Sequence, residues 1–148
     1  MVDRAPLDRV LLTSAKAWSL RSTCMRRSVG CVLTDVSGHT LSSGHNGVPR
    51  GAQHCTAGTP CAGANCPSGT GLDLCEAVHA EINALLRCPD IDKIHTCYTT
   101  TSPCIHCVKA LLNTSCRRIV FLDEYPHSEA KLRWERTGRE WVQYKGEI

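Results

Sequence analysis

Aromatic side chains are scarce in this sequence. Its 148 residues hold three Trp, three Tyr and one Phe, few platforms for stacking on single-stranded nucleic acid. Long apolar runs are missing as well. The longest fall well short of the ~20 residues needed to span a bilayer, so no membrane partner is expected. Charge of one sign is also lacking: 17 Lys and Arg face 14 Asp and Glu, a net charge of +3. That argues against a heavily basic nucleic-acid binder, though local patches stay compatible with it. The start, Met1 to Pro6, carries an early acid, Asp3, and no apolar core of the signal-peptide kind. A cytoplasmic location is the expectation. No internal repeat or low-complexity tail is seen. Hydrophobic content is 42% and charged content 21%, ordinary values for a globular protein. The length suits one domain, 1–148, with a real core.

Cysteine is what the chain has in excess: eleven residues. The count is odd and no export signal accompanies it. In a reducing compartment, clustered Cys are more often metal ligands than disulfide partners. Cys104 and Cys107 form a C-x-x-C pair. Cys24, Cys55, Cys61, Cys66 and Cys75 fall in loops or at element ends. Cys31, Cys88, Cys97 and Cys116 fall in apolar elements and read as small buried hydrophobes.

Apolar residues at steps of three and four, Leu7, Val10, Leu11, Ala15 and Trp18, predict an amphipathic helix over 6–21, with Pro6 suited to its first turn. Ser28 to Thr34 reads as a strand. Asp35-Val36-Ser37-Gly38 is a turn, and 39–44 returns as a second strand. Residues 45–75 form a Cys-rich insertion loop dominated by Gly, Pro, Ser, Thr, Asn and Cys. A loop this long in a compact domain is usually functional. Something other than apolar burial must hold it, and its four Cys make a structural zinc, additional to the site described next, the candidate. Then follow a helix (77–86), a strand (94–101), a helix opened by Pro103 and running to about Asn113, a strand (117–122), a charged helix (128–137) and an edge strand (141–144). This order predicts an α/β fold of three layers, with helices on both faces of a central mixed sheet of about five strands.

The chemistry concentrates in His79-Ala80-Glu81 and Pro103-Cys104-Ile105-His106-Cys107. His79, Cys104 and Cys107 are one imidazole and two thiols, a natural ligand set for a catalytic zinc. Such a zinc keeps three protein ligands and leaves its fourth position to water. Cys104 and Cys107 at i, i+3 share a helix face, and a helix N-terminus favours thiolates. Glu81 is left free to move protons. A bound water whose pKa is drawn towards ~7 would give its proton to Glu81 and attack an amino-bearing ring carbon. Glu81 would then pass protons to the ring nitrogen and to the leaving ammonia. His106, at i+2 from Cys104, should point away. The bland alternative is a structural zinc knot closed by a fourth protein ligand, and an uncommitted Glu81 counts against it.

Together these pieces are similar to the H-x-E…P-C-x-x-C pattern of zinc nucleobase deaminases. The sequence resembles the cytidine deaminase superfamily and, within it, the deoxycytidylate (dCMP) deaminases. The resemblance rests on 21–24, 29–31, Gly44-His45-Asn46-Gly47-Val48-Pro49-Arg50-Gly51, His54-Cys55, 74–84 and Thr101-Ser102-Pro103-Cys104. It implies the cytidine deaminase-like fold and hydrolytic conversion of dCMP to dUMP and ammonia, by attack of a zinc-activated water at C4. It implies that Asn46 contacts the nucleotide, with Ala80 and Ser102 beside it. Arg26 and Arg27 are the phosphate candidates, with Tyr125 as a neighbour. It places a second, structural zinc on Cys24, Cys55 and Cys75, with Cys61 as fourth ligand and Cys66 and His54 as rivals. It further implies a homo-oligomer, a hexamer or dimer, with dCTP and dTTP as effectors and magnesium accompanying a triphosphate effector. The partner is a small-molecule nucleotide rather than nucleic acid. Alternatives within this chemistry are dCTP, a 5-modified dCMP or free cytidine as substrate. An alternative outside it is a two-zinc nucleic-acid-binding module, which the modest charge and few aromatics oppose.

Overall fold

The computed structural model describes residues 3–67, 70, 75–126 and 128–148. Residues 68, 69 and 71–74 of the Cys-rich loop, Leu74 of the quoted motif included, lie outside the described residues, as do Met1, Val2 and His127. Five strands make one sheet in the order β2-β1-β3-β4-β5: β1 (Gly30–Thr34), β2 (Thr40–His45), β3 (Thr96–Thr101), β4 (Arg118–Asp123) and β5 (Glu140–Gln143). β1 runs antiparallel to β2 and β3, while β3, β4 and β5 are parallel. The sheet is therefore mixed, with β2 and β5 at its edges. β1 is buried at every residue, as a strand covered on both faces must be.

Helix α1 (Leu7–Ser19) lies on one face. Its Leu11, Leu12 and Ala15 pack on Val32, Tyr98 and Val120. On the other face, α2 (Ala80–Arg87), α3 (Ile105–Leu112) and α4 (Ser128–Glu135) cover Cys31, Leu33, Cys97, Ile119 and Phe121. These are the three layers the element order predicts. The stripe expected on α1 holds at Leu11 and Ala15 and is corrected at its other positions. Leu12 is fully buried, whereas Leu7, Val10 and Trp18 remain 52%, 50% and 41% exposed. The helix is apolar on several sides, so periodicity alone does not single out the docked one. A polar brace adds to the apolar packing of the docked side. Tyr98 Oη donates to Asp8 Oδ1 (2.7 Å), and Arg118 reaches both Asp8 oxygens (3.3 and 3.1 Å). Burial raises the proton affinity of that carboxyl, but the Arg118 and Tyr98 hydrogen bonds outweigh it and hold Asp8 below its ordinary pKa.

Two glycines set how closely helices approach the sheet. A Cβ on Gly30 would strike the α1 backbone at Ala15, and one on Gly44 would lie 2.5 Å from Ala80 O and 2.6 Å from Ala84 N of α2. Ser42 Oγ donates to Ala84 O (2.8 Å), and Asn83 Nδ2 to His45 O (2.9 Å). Gly47 and Val78 exchange backbone hydrogen bonds of 3.1 and 2.7 Å. The segment before α2 is thereby tied to the start of the long loop. That bridge keeps His79 extended (φ −67°, ψ 152°), so α2 begins at Ala80 rather than at 77. His79 and Cys104 are N-cap residues, not first-turn ones. Cys31, Cys97 and Cys116 are fully buried, as expected, whereas Cys88 is only half-buried, since it caps the exposed end of α2. All eleven cysteines are free thiols. Among the described residues, no helix is long and apolar enough to cross a membrane.

Candidate metal centre and nucleotide cavity

The strand ends and helix starts converge. α2 begins just after His79, and α3 follows β3 through Thr101-Ser102-Pro103-Cys104. The site thus lies beyond the carboxyl end of β3, where open α/β sheets bind ligands. His79 Nδ1 stands 3.3 Å from Cys107 Sγ and 3.4 Å from Cys104 Sγ. Among the described residues this is the one group of three His, Cys, Asp or Glu donors lying within 4.8 Å of one another. A tetrahedral zinc with Zn–N of about 2.0–2.1 Å and Zn–S of about 2.3 Å separates such donors by about 3.5 Å, so the group fits that metal. It would supply three ligands, and two of these residues, His79 and Cys104, also line the adjoining cavity.

Without metal the three groups share charge. A hydrogen bond from Cys107 draws the Cys104 thiol down to about 3, helped by His79. The same contact, with burial, pushes Cys107 up. The Cys104 partnership raises His79. Both sulfurs sit at the start of α3, where the helix dipole favours negative charge. His106 is exposed and turns away, as its spacing predicts.

Glu81 is 3% exposed. Burial raises its pKa, against opposing contacts from Cys107, His79 and Thr99. Thr99 is a residue the sequence reading does not single out. Its Oγ1 lies 3.0 Å from Glu81 Oε1 and 2.9 Å from Thr101 O. A hydroxyl has one hydrogen and here faces two acceptors. When Glu81 carries a proton, Glu81 donates to Thr99 and Thr99 donates to Thr101 O, and every group is satisfied. A buried threonine mid-strand gives no signal in sequence, because only the fold brings β3 beneath α2.

Beside these residues opens a cavity of about 330 Å³, within the usual range for small-molecule sites. Asn46, Arg26, Arg27, Ala80, Ser102 and Tyr125, the residues named from sequence, all line it, with His79, Glu81 and Cys104. Their partners refine the picture. Asn46 Oδ1 accepts from Val29 N (2.9 Å) and its Nδ2 donates to Arg27 O (2.7 Å). It braces the strap leading into β1 and keeps one N–H and one lone pair. Ser102 Oγ accepts from Tyr125 N (2.6 Å). The Arg27 guanidinium lies 4.6 Å from the centre of the Tyr125 ring. Arg26 donates to Gly63 O (3.2 Å) and Pro67 O (2.9 Å).

The loop thiols are less tightly gathered. Cys61 N donates to Cys55 Sγ at 3.3 Å. The Glu76 backbone N–H lowers the Cys61 pKa. Cys75, raised by burial, also feels Cys24 and Cys61. Among the described residues no second set of three donors comes within 4.8 Å. Of the rival ligands, His54 is exposed and Cys66 lines the cavity.

The family model described as the cytidine and deoxycytidylate deaminase zinc-binding region matches residues 6–123. A deoxycytidylate deaminase of Mycobacterium phage D29 is 34% identical over 128 residues, 83% of this chain and 99% of its own length. The chain belongs to the cytidine and deoxycytidylate deaminase family. A deoxycytidylate deaminase of Schizosaccharomyces pombe is 34% identical over 126 residues, 82% of this chain, but the chain spans only 38% of that longer protein. In fold, the chain is similar to the dCMP deaminase of cyanophage S-TIM5, solved in complex with dCMP and dUMP. The TM-score is 0.75 at 23% identity, covering 96% of this chain and all of that one. The chain thus has a cytidine deaminase-like fold and carries the family's zinc-binding region.

Proposed function

We propose that this protein, as one domain, hydrolyses dCMP to dUMP and ammonia. The observation that carries the reading is the buried Glu81, uncommitted to metal, set against His79, Cys104 and Cys107 at the wall of a nucleotide-sized cavity. The names of the phage D29 and fission-yeast relatives, and the dCMP and dUMP bound in the cyanophage structure, support the substrate. Zinc held by His79, Cys104 and Cys107 would supply an acidified water as nucleophile. Glu81 takes up a proton, for which burial raises its affinity, and returns protons to the ring nitrogen and the leaving amine. Thr99 holds the carboxyl in place in both states. Asn46 and Ser102 retain donor or acceptor capacity for the nucleoside, and Arg27 over Tyr125, with the charge of Arg26 nearby, favours a monophosphate.

The reading extends to a second, structural zinc on Cys24, Cys55, Cys61 and Cys75. The backbone N–H groups aimed at the Cys55 and Cys61 sulfurs support it. It also includes a homo-oligomer under dCTP and dTTP control, with magnesium beside the triphosphate, in a reducing cytoplasm suited to eleven free thiols. The test is a substrate panel of dCMP, dCTP, 5-methyl-dCMP, cytidine and deoxycytidine on purified protein, with and without the two effectors. dCMP should have the highest kcat/KM. Glu81→Gln should lower kcat by about 10²-fold or more while retaining zinc by metal analysis. Deoxycytidine handled as well as dCMP sinks the phosphate assignment. A fully active Glu81→Gln sinks the mechanism.

A further inference from the structure

We propose that Arg26 is a positioning residue whose guanidinium latches the 63–67 segment of the Cys-rich loop into place as a wall of the nucleotide cavity. The inference rests on the deaminase reading for its activity arm only. Arg26 Nη1 donates to Gly63 O and Nη2 to Pro67 O, across 37 and 41 residues of chain. Between those two anchors lie Ala64 and Cys66, and both line the cavity. The segment's other hydrogen bonds are turns within the loop: Ala64 N to Cys61 O (3.0 Å), Cys66 N to Gly63 O (3.2 Å), and Thr70 N and Oγ1 to Pro67 O (3.0 and 2.6 Å). Among the described residues, then, the hydrogen bonds tying 63–67 to a distant part of the chain come from Arg26. The planar fork suits the task, since its nitrogens reach two carbonyls at once, which a single ammonium does not do in the same geometry.

Arg26 also belongs to a strap that carries the rest of this wall. Thr23 Oγ1 accepts from Val48 N (3.0 Å), Arg27 O accepts from Asn46, and the Arg27 guanidinium covers Tyr125. Residues 23–29 therefore couple the Asn46 loop, the Cys-rich loop and the segment after β4. Both Arg26 acceptors are neutral carbonyls that do not cancel its charge, and Arg26 lines the cavity. The latch and a direct phosphate contact thus make separable predictions.

Arg26→Gln and Arg26→Lys are compared with the unaltered protein by hydrogen exchange at peptides covering 61–67, and by kinetics on dCMP and deoxycytidine. The latch predicts faster exchange across 61–67 in both variants. It also predicts KM raised by a common factor for the two substrates, roughly tenfold, as for loss of one charge-assisted hydrogen bond, with kcat affected less. Exchange across 61–67 unchanged in both variants overturns the latch. So does a KM increase confined to dCMP and repaired in Arg26→Lys, which marks a phosphate contact instead. If the unaltered protein deaminates neither substrate, the deaminase reading fails, and the exchange measurement still decides the latch.

Discussion

Glu81 and Thr99 show how a single buried contact can govern this chemistry. The carboxyl is cut off from solvent and held towards its protonated form by burial. Thr99 meets it at 3.0 Å and hands the bond on to Thr101 O at 2.9 Å. Thr99→Val keeps the side chain's shape and removes the relay. The protonated carboxyl then loses its acceptor and a rotamer anchor. The expected result is a kcat about tenfold lower, from a lost hydrogen bond of about 1.5 kcal/mol, with KM and zinc content little changed. Steady-state kinetics with metal analysis checks it, and a normal kcat removes Thr99 from the account. At this scale the sequence was legible wherever ligands were neighbours in the chain. His79 and Glu81 are two residues apart, Cys104 and Cys107 three, and their types alone point to zinc and a proton carrier. Thr99 was illegible because its partner is 18 residues away, on a helix whose placement periodicity does not fix.

Among the elements, α2 matters most, since His79 caps its start and Glu81 lies in its first turn. Its distance from the sheet is set by Gly44, where a Cβ would meet backbone atoms of Ala80 and Ala84 at 2.5 and 2.6 Å. Backbone cannot rotate away, so Gly44→Ala must push the helix outward. We expect a loss of about 1–3 kcal/mol from overpacking. Activity should fall by up to about 10²-fold if the shift nears 1 Å. Gly58→Ala, with open space around its Cβ position, is the control and should match the unaltered protein in both denaturant midpoint and kcat/KM. A Gly44→Ala protein with undiminished activity contradicts this account of α2. Among the described residues, the five strands and four α-helices match the expected ones, because their apolar runs are bounded by Gly, Pro and Asp signals such as the turn at 35–38. Boundaries near the site were less legible. The helix expected from Ala77 starts at Ala80 because Val78 pairs with Gly47, a contact 31 residues distant that no local pattern encodes. The docked side of α1 is legible only at Leu11 and Ala15 for a related reason: the Asp8–Arg118–Tyr98 brace beside it is non-local.

The molecule as a whole joins two regions of unlike character, a sheet whose central strands are largely buried and a loop with few apolar residues. Cavity residues come from both: Glu81, Ser102 and Tyr125 from the framework, Ala64, Cys66 and Cys75 from the loop. Apolar burial holds the first region. Arg26 and, on our reading, a second metal hold the other. Cys75 stands four residues before His79, so a metal bound there would fix the approach to α2 from one side while the Gly47–Val78 bridge fixes it from the other. Metal removal should then act on two levels. A metal present at ~1,000 times its Kd stabilises by about 4 kcal/mol, which for a chain of this size is a Tm shift on the order of 10 °C. Chelation should produce a fall of at least that size, reversed by added zinc. Cys75→Ser should reduce zinc from about two equivalents to one, lower Tm by part of the chelation shift and raise KM, while His79, Cys104 and Cys107 keep the remaining ion. A protein that binds a single zinc, with Cys75→Ser unchanged in metal content and Tm, makes the loop cysteines plain thiols and leaves the latch at Arg26 as the tie between loop and site.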